Sequence, residues 1–175
     1  MWCFTNDESK AWCDGRGIAT RDSGLPTMPE KNFQIKAPLS GMNWSRLHWI
    51  SGFLASHLQP FDECLLWVTQ WGVWPSSENY HLFYRLRESY REHRSLPNAP
   101  GHLFLKHETA DLTSFLELAL LCGWDFYLLP APTYAAVFVS HDEFVVINTD
   151  AADAVQQVNE SLPGSALVGE VTPNT

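Results

Sequence analysis

The segment YAAVFVSHDEFVVINT, residues 134–149, limits the fold more than any other part of the chain. Two apolar runs rich in valine and aromatics are separated by HD, so the second run returns along the first as a tight antiparallel hairpin. WDFYLL is a third run of the same kind, set off by PAPT. Just upstream, TADLTSFLELALLCG places Leu112, Phe115, Leu116 and Ala119 on one helical stripe, with Thr109 or Asp111 to start it and Gly123 to end it. Hairpin strands interleaved with amphipathic helices predict an α+β fold with two layers, a mainly antiparallel sheet carrying its helices on one face.

The other elements fit this scheme. NFQIKA alternates like a short strand, and HLFLKH and DECLLWVTQW read as strands, the latter largely buried. NWSRLHWISGFLASHLQP has Trp44, Leu47, Ile50, Leu54 and Leu58 at helical spacing, with Asn43 as cap and Pro60 as stop. A third helix is predicted from Glu78 to His93, capped by Ser76 or Ser77, and a fourth over DAADAVQQVNESL with Ala152, Val155 and Val158 inward. Residues 1–31 read as an irregular arm rich in Gly, Asp, Ser and Thr, residues 32–162 as one α+β domain, and 163–175 as a flexible tail.

Composition narrows the function classes. With 45% hydrophobic and 18% charged residues the chain is a globular protein and not a disordered one. Its start carries no basic, apolar leader and no run approaches a membrane span, which predicts a soluble cytoplasmic protein. Cys3, Cys13, Cys64 and Cys122 are scattered and read as free thiols, with no metal site and no cofactor expected. All eleven Lys and Arg lie in residues 1–106, a segment of net +1, whereas residues 107–175 hold ten acids and no Lys or Arg. That asymmetry disfavours nucleic acid as a partner and favours a basic protein.

The motifs of common enzymes are missing. There is no G-x-S-x-G elbow, P-loop or dinucleotide fingerprint. HETAD begins like a zinc-protease motif, but Asp111 stands where the second histidine belongs, so His107, Glu108 and Asp111 read first as the polar start of a helix. SHDE groups His141 with Asp142 and Glu143, a set that could act as acid and base or simply make a turn. In WVTQWGVWPSSENYHLFYRLRESYREHR, Trp67 belongs to a buried strand, while Trp71 and Trp74 at its end could anchor a partner. Arg85, Arg87, Arg91 and Arg94 form a basic cluster whose simplest role is surface pairing with Glu88 and Glu92 near a helix end.

The stretches WVTQWGVWPSSENYHLFYRLRESY, GHLFLKHETADL and SHDEF together resemble a pattern that recurs in small uncharacterised bacterial proteins, over about residues 43–149. In size, acidity and aromatic content the chain is similar to bacterial immunity proteins, and that resemblance implies a protein that occludes a toxin without catalysis. The leading expectation is therefore a protein-binding domain for a basic partner such as a toxin or nuclease. Asp142, Glu143, Asp150 and Asp153 would supply its acidic contact, and Trp71, Trp74 and Tyr134 its aromatic anchors. One alternative is an enzyme built on His107, Glu108, Asp111 or His141 with Asp142 and Glu143, requiring these groups to converge. Another is a homo-oligomer in which the arginine helix of one copy meets the acidic half of the next.

Overall fold

The structure is a computed structural model that describes residues 1–39, 41, 43–72, 80–162 and 164–170. The predicted hairpin forms from β6 (Ala135–Ser140) and β7 (Phe144–Thr149), paired from Ala135↔Thr149 to Ser140↔Phe144. His141, Asp142 and Glu143 make the turn, and Glu143 takes the left-handed conformation at φ 59° that lets three residues close it.

Six further strands extend this pair. β1 (Trp2–Phe4), β2 (Phe33–Pro38), β3 (Glu63–Gln70), β4 (Gly101–Leu105), β5 (Asp125–Ala131) and β8 (Ala166–Glu170) give an antiparallel sheet in the order β1-β4-β3-β5-β6-β7-β2-β8. With five helices among the described residues, the α+β class predicted from the sequence is observed.

Both faces of the sheet are apolar because its central strands alternate two buried sets. Cys64, Leu66 and Val68 of β3 point to one side with Phe126 and Leu128 of β5; Leu65 and Trp67 point to the other with Tyr127 and Leu129. The first side is covered by α2 (Trp44–His57), α3 (Tyr80–Ser89), α4 (Thr109–Leu121) and α5 (Ala152–Ser161) through Ile50, Leu54, Phe83, Phe115, Leu116 and Val158. Asn43 caps α2 as expected, its side chain accepting from the Arg46 N–H at 3.0 Å.

The second side corrects the reading of residues 1–31. Instead of a wholly irregular arm, they form edge strand β1 and helix α1 (Asn6–Asp14), so the helices are not confined to one face. Thr5 and Glu8 make a reciprocal capping box, Glu8 N to Thr5 Oγ1 at 3.2 Å and Thr5 N to Glu8 Oε2 at 2.7 Å, a local signal that the Gly- and Ser-rich composition hid. Trp12, Cys13 and Ile18 then bury against Leu65, Trp67, Leu103 and Tyr127. Covering each such large side chain is worth about 2 kcal/mol, enough to hold a short helix in place. Two indole N–H groups tie the layer down: Trp12 donates to Glu63 and Trp67 to Asn6, each at 3.0 Å.

The predicted tail is also partly ordered, since Ala166–Glu170 adds to the free edge of β2 as β8. The helix expected over 78–93 is shorter, and α3 ends at Ser89 because the chain turns at Tyr90 and Arg91, the latter at φ 62°. Its expected caps Ser76 and Ser77, together with Glu78 and Trp74, lie outside the described residues. In α5 it is Ala154 and Val158 that are buried, whereas Ala152 is exposed and Val155 only half-buried. Among the described residues no helix is long and apolar enough to cross a membrane.

Candidate functional site

The sheet has two ends, and the topology assigns each predicted residue to one of them. Gln70 pairs with Asp125, and Phe126 with Val139, so the close of β3, the start of β5 and the β6–β7 turn lie together. This end carries Trp71, Asp125, His141, Asp142 and Glu143. The opposite end carries Tyr134, Asp150 and, in the first turn of α5, Asp153, with Asp150 N donating to Tyr134 O at 3.3 Å. The six residues of β7 separate the two acidic pairs by roughly 20 Å. The four carboxylates thus do not form the single patch expected of them.

The groups proposed for an enzyme are likewise split. His107 and Glu108 sit in a 3-10 turn after β4, whose Leu105 pairs with Glu63, itself opposite Ala131 at the far end of β5 from Asp125. Glu108 accepts from the amino group of Met1 and from Leu105 N. Burial works against its charge, but these bonds prevail and hold its carboxyl below the usual range. Asp111 interacts with Tyr90, whose phenol is pushed up by burial and then by that carboxylate. His107, Glu108 and Asp111 therefore do not converge with His141, and no group of three His, Cys, Asp or Glu able to hold a metal occurs among the described residues.

The arginine cluster is dispersed too. Arg85 is exposed on α3, Arg91 occupies the turn after it, and Arg94 lies beyond, its Nε 2.9 Å from Glu92 Oε1 and its NH2 2.8 Å from Cys3 O. Arg87 is fully buried, its guanidinium 5.0 Å from the Phe83 ring, and none of its three side-chain nitrogens meets hydrogen-bond geometry with a described residue. Burial lowers its proton affinity, an effect that the neighbouring Cys3 and Glu92 offset in part. The run of guanidinium groups along one helix face thus does not form.

What the hairpin end does bring together is a built feature. Asp125, at the start of β5, is nearly buried, and its Oδ1 lies 2.6 Å from His141 N and 2.7 Å from His141 Nδ1. An ionised carboxylate only accepts, so the ring nitrogen is the donor and the imidazole is fixed in orientation. Ser140 Oγ accepts from Asp142 N at 3.2 Å, and Leu39 N donates to Glu143 O at 2.7 Å. With its backbone so fastened, the turn leaves the carboxylates of Asp142 and Glu143 exposed.

Glu143, His141 and Ser140 border a cavity of about 340 Å3 whose other walls are mostly apolar, among them Leu39, Leu120, Leu121, Trp124 and Val139. A second cavity of about 320 Å3 shares Leu121 and continues between α2, α3 and α4, lined by Trp44, Leu82, Leu86, Ser114, Glu117 and Leu118. Trp44 was expected in the core, yet it is 65% exposed, because at the first position of α2 it projects past the layer that Leu47 and Ile50 bury. Trp71 packs half-buried on the core, as does Tyr134, whose phenol is pushed up by burial.

Sequence reasoning missed Asp125, Glu117 and the exposure of Trp44. For Asp125 a signal existed: a carboxylate inside the apolar run WDFYLL needs a dedicated donor. No protein family matches the chain, and neither a curated protein nor a solved structure is detectably similar to it.

Proposed function

We propose that the protein is a non-catalytic binding domain of the immunity or inhibitor type, cytoplasmic and bacterial, that recognises a basic protein. The observation that carries this reading is the fastened β6–β7 turn, which presents two exposed carboxylates at the border of an apolar cavity. A long cationic side chain suits such a place, its aliphatic stem against Leu and Val and its charged head at Asp142 or Glu143. Fixing the turn in advance lowers the ordering cost of association, and the carboxylates speed encounter with a positive surface. The excess of acids after residue 106 supplies the long-range field.

The test is capture from host lysate at low salt by three immobilised forms: wild type, Asp142→Lys with Glu143→Lys, and Asp150→Lys with Asp153→Lys. A basic protein retained by the first and third and lost by the second supports the reading. Identical capture by all three removes it.

One observation favours a second reading, an enzyme using His141 as acid or base: the short Asp125 contact that orients the imidazole. Turnover of any substrate in a hydrolase panel by wild type, abolished in His141→Gln, would support it; equal turnover in both would dispose of it.

A further inference from the structure

Resting on the binding reading above, we infer that the partner docks an amphipathic basic helix along the trough that leads from the β6–β7 turn, past Leu121, to the outer groove between α2, α3 and α4. Leu121 lines both cavities, so the two adjoin at that side chain. Along α4 the groove is lined by Ser114, Glu117, Leu118 and Leu121, an i, i+3, i+4, i+7 face. This is the row against which another helix packs its own ridges. Trp44 and Leu82 stand on the opposite walls, 65% and 42% exposed, and have the area to gain from being covered. Scattered exposed apolar residues need no explanation, but these two share one groove.

Charge selects the occupant. The charged residues among the described ones lining either cavity are Glu117 and Glu143, with Asp142 beside them in the turn, and no Lys or Arg lines them. On this protein's side Glu117 meets His48, 3.4 Å away and 74% exposed in its side chain, a contact that an incoming lysine can replace. A helix with leucines on one face and lysines flanking them therefore matches both the apolar floor and its acidic rim, the mode by which grooves take amphipathic helices. Arg85, exposed on α3, is of the opposite sign to these carboxylates but lines neither cavity.

The test titrates full-length protein with a Leu/Lys peptide of about 18 residues, five turns with leucines at helical period. A scrambled peptide of the same composition and a Leu/Glu counterpart are run alongside. Tryptophan fluorescence reports binding, and sedimentation reports self-association. The inference expects saturable binding of the periodic Leu/Lys peptide at micromolar levels, weakened about tenfold or more by Trp44→Ala and by Leu82→Asp, and little binding of the other two peptides. Both substituted residues are exposed, so circular dichroism should confirm an intact fold. Equal binding of the scrambled peptide, or none of the periodic one, overturns the inference, as does indifference to both substitutions. A wild-type dimer that Trp44→Ala dissociates would assign the groove to a second copy and overturn it too. Should Asp142→Lys with Glu143→Lys abolish capture of a host protein while Trp44→Ala and Leu82→Asp do not, the binding reading survives and this inference falls.

Discussion

Asp125 and His141, sixteen residues apart, are joined twice: one carboxylate oxygen receives both the backbone N–H of His141 at 2.6 Å and its Nδ1 at 2.7 Å. A strand on one side of the hairpin thereby sets the position of the turn that ends it.

Asp125→Asn keeps the volume but removes the negative charge from the oxygen that accepts both bonds, leaving two weaker neutral ones. Because the site is nearly buried, the loss should cost about 1–3 kcal/mol of stability. The midpoint of urea unfolding measures the total, and hydrogen exchange at the amides of His141 and Asp142 should rise relative to the β3–β5 core. Unaltered exchange at the turn would mean that the carboxylate does not hold it.

Glu92 is held by Arg94, whose hydrogen bonds, outweighing burial, bring its carboxyl down to about 2. The sign follows from linkage: a carboxyl with a depressed folded-state pKa adds stability that is fully present above its ordinary value near 4.5. That contribution should fade as pH falls from there toward 2. Glu92→Gln should flatten the acid limb of the stability curve over this interval and leave its slope near neutrality unchanged. Arg94 is 43% exposed in its side chain, so added salt should shrink the difference. Parallel acid limbs for both proteins would refute the assignment.

Arg87 is a buried cation whose nitrogens lack hydrogen-bond geometry with described residues. A buried charge without such bonds carries a desolvation cost that an apolar side chain of similar length does not, so Arg87→Met should hold or raise the free energy of unfolding, by up to about 2 kcal/mol. A loss of several kcal/mol would show that the guanidinium has a structural partner of real strength.

Gly101 has no room for a side chain: a Cβ there would fall on Ser9 Oγ and within 3.0 Å of Phe4 Cβ. Gly101→Ala should therefore push β1 and α1 off the sheet edge, at about 1–3 kcal/mol. Faster proteolysis in residues 1–18, with the remainder protected, is the expected pattern. A fully protected segment would mean that the edge adapts without release.

The legible parts of this fold were those written in local period. Leu112, Phe115, Leu116 and Ala119 announced α4, and the two valine-rich runs announced the hairpin. Helix α1 carries its own signal in Thr5 and Glu8, but with a single short apolar stripe it depends on Leu65, Trp67 and Tyr127 to be stable, and those are far away in sequence. The site was harder still. That Asp125 meets His141 is decided by which strands are neighbours, and that Asp142 and Asp150 lie at opposite ends of the sheet is decided by the extended run of β7 between them. Spacing alone carries neither fact. Arg87 sits at a helical interval from Arg91, yet burial is set by what α3 packs against and where it ends.

The layer built from residues 2–18 is among the last that can be completed. β1 waits for Gly101–Leu103 of β4, and Trp12 and Ile18 wait first for Leu65 and Trp67 and then for Tyr127, Leu129 and Ala136, so residues 2–18 leave the ribosome well before their docking surface is complete. During that interval Trp12 and Ile18, buried in the finished fold, are exposed apolar groups on a growing chain, the condition under which non-native contacts form most readily. The long separation also delays closure of the sheet in a refolding chain, since distant pairings must be reached before they stabilise anything.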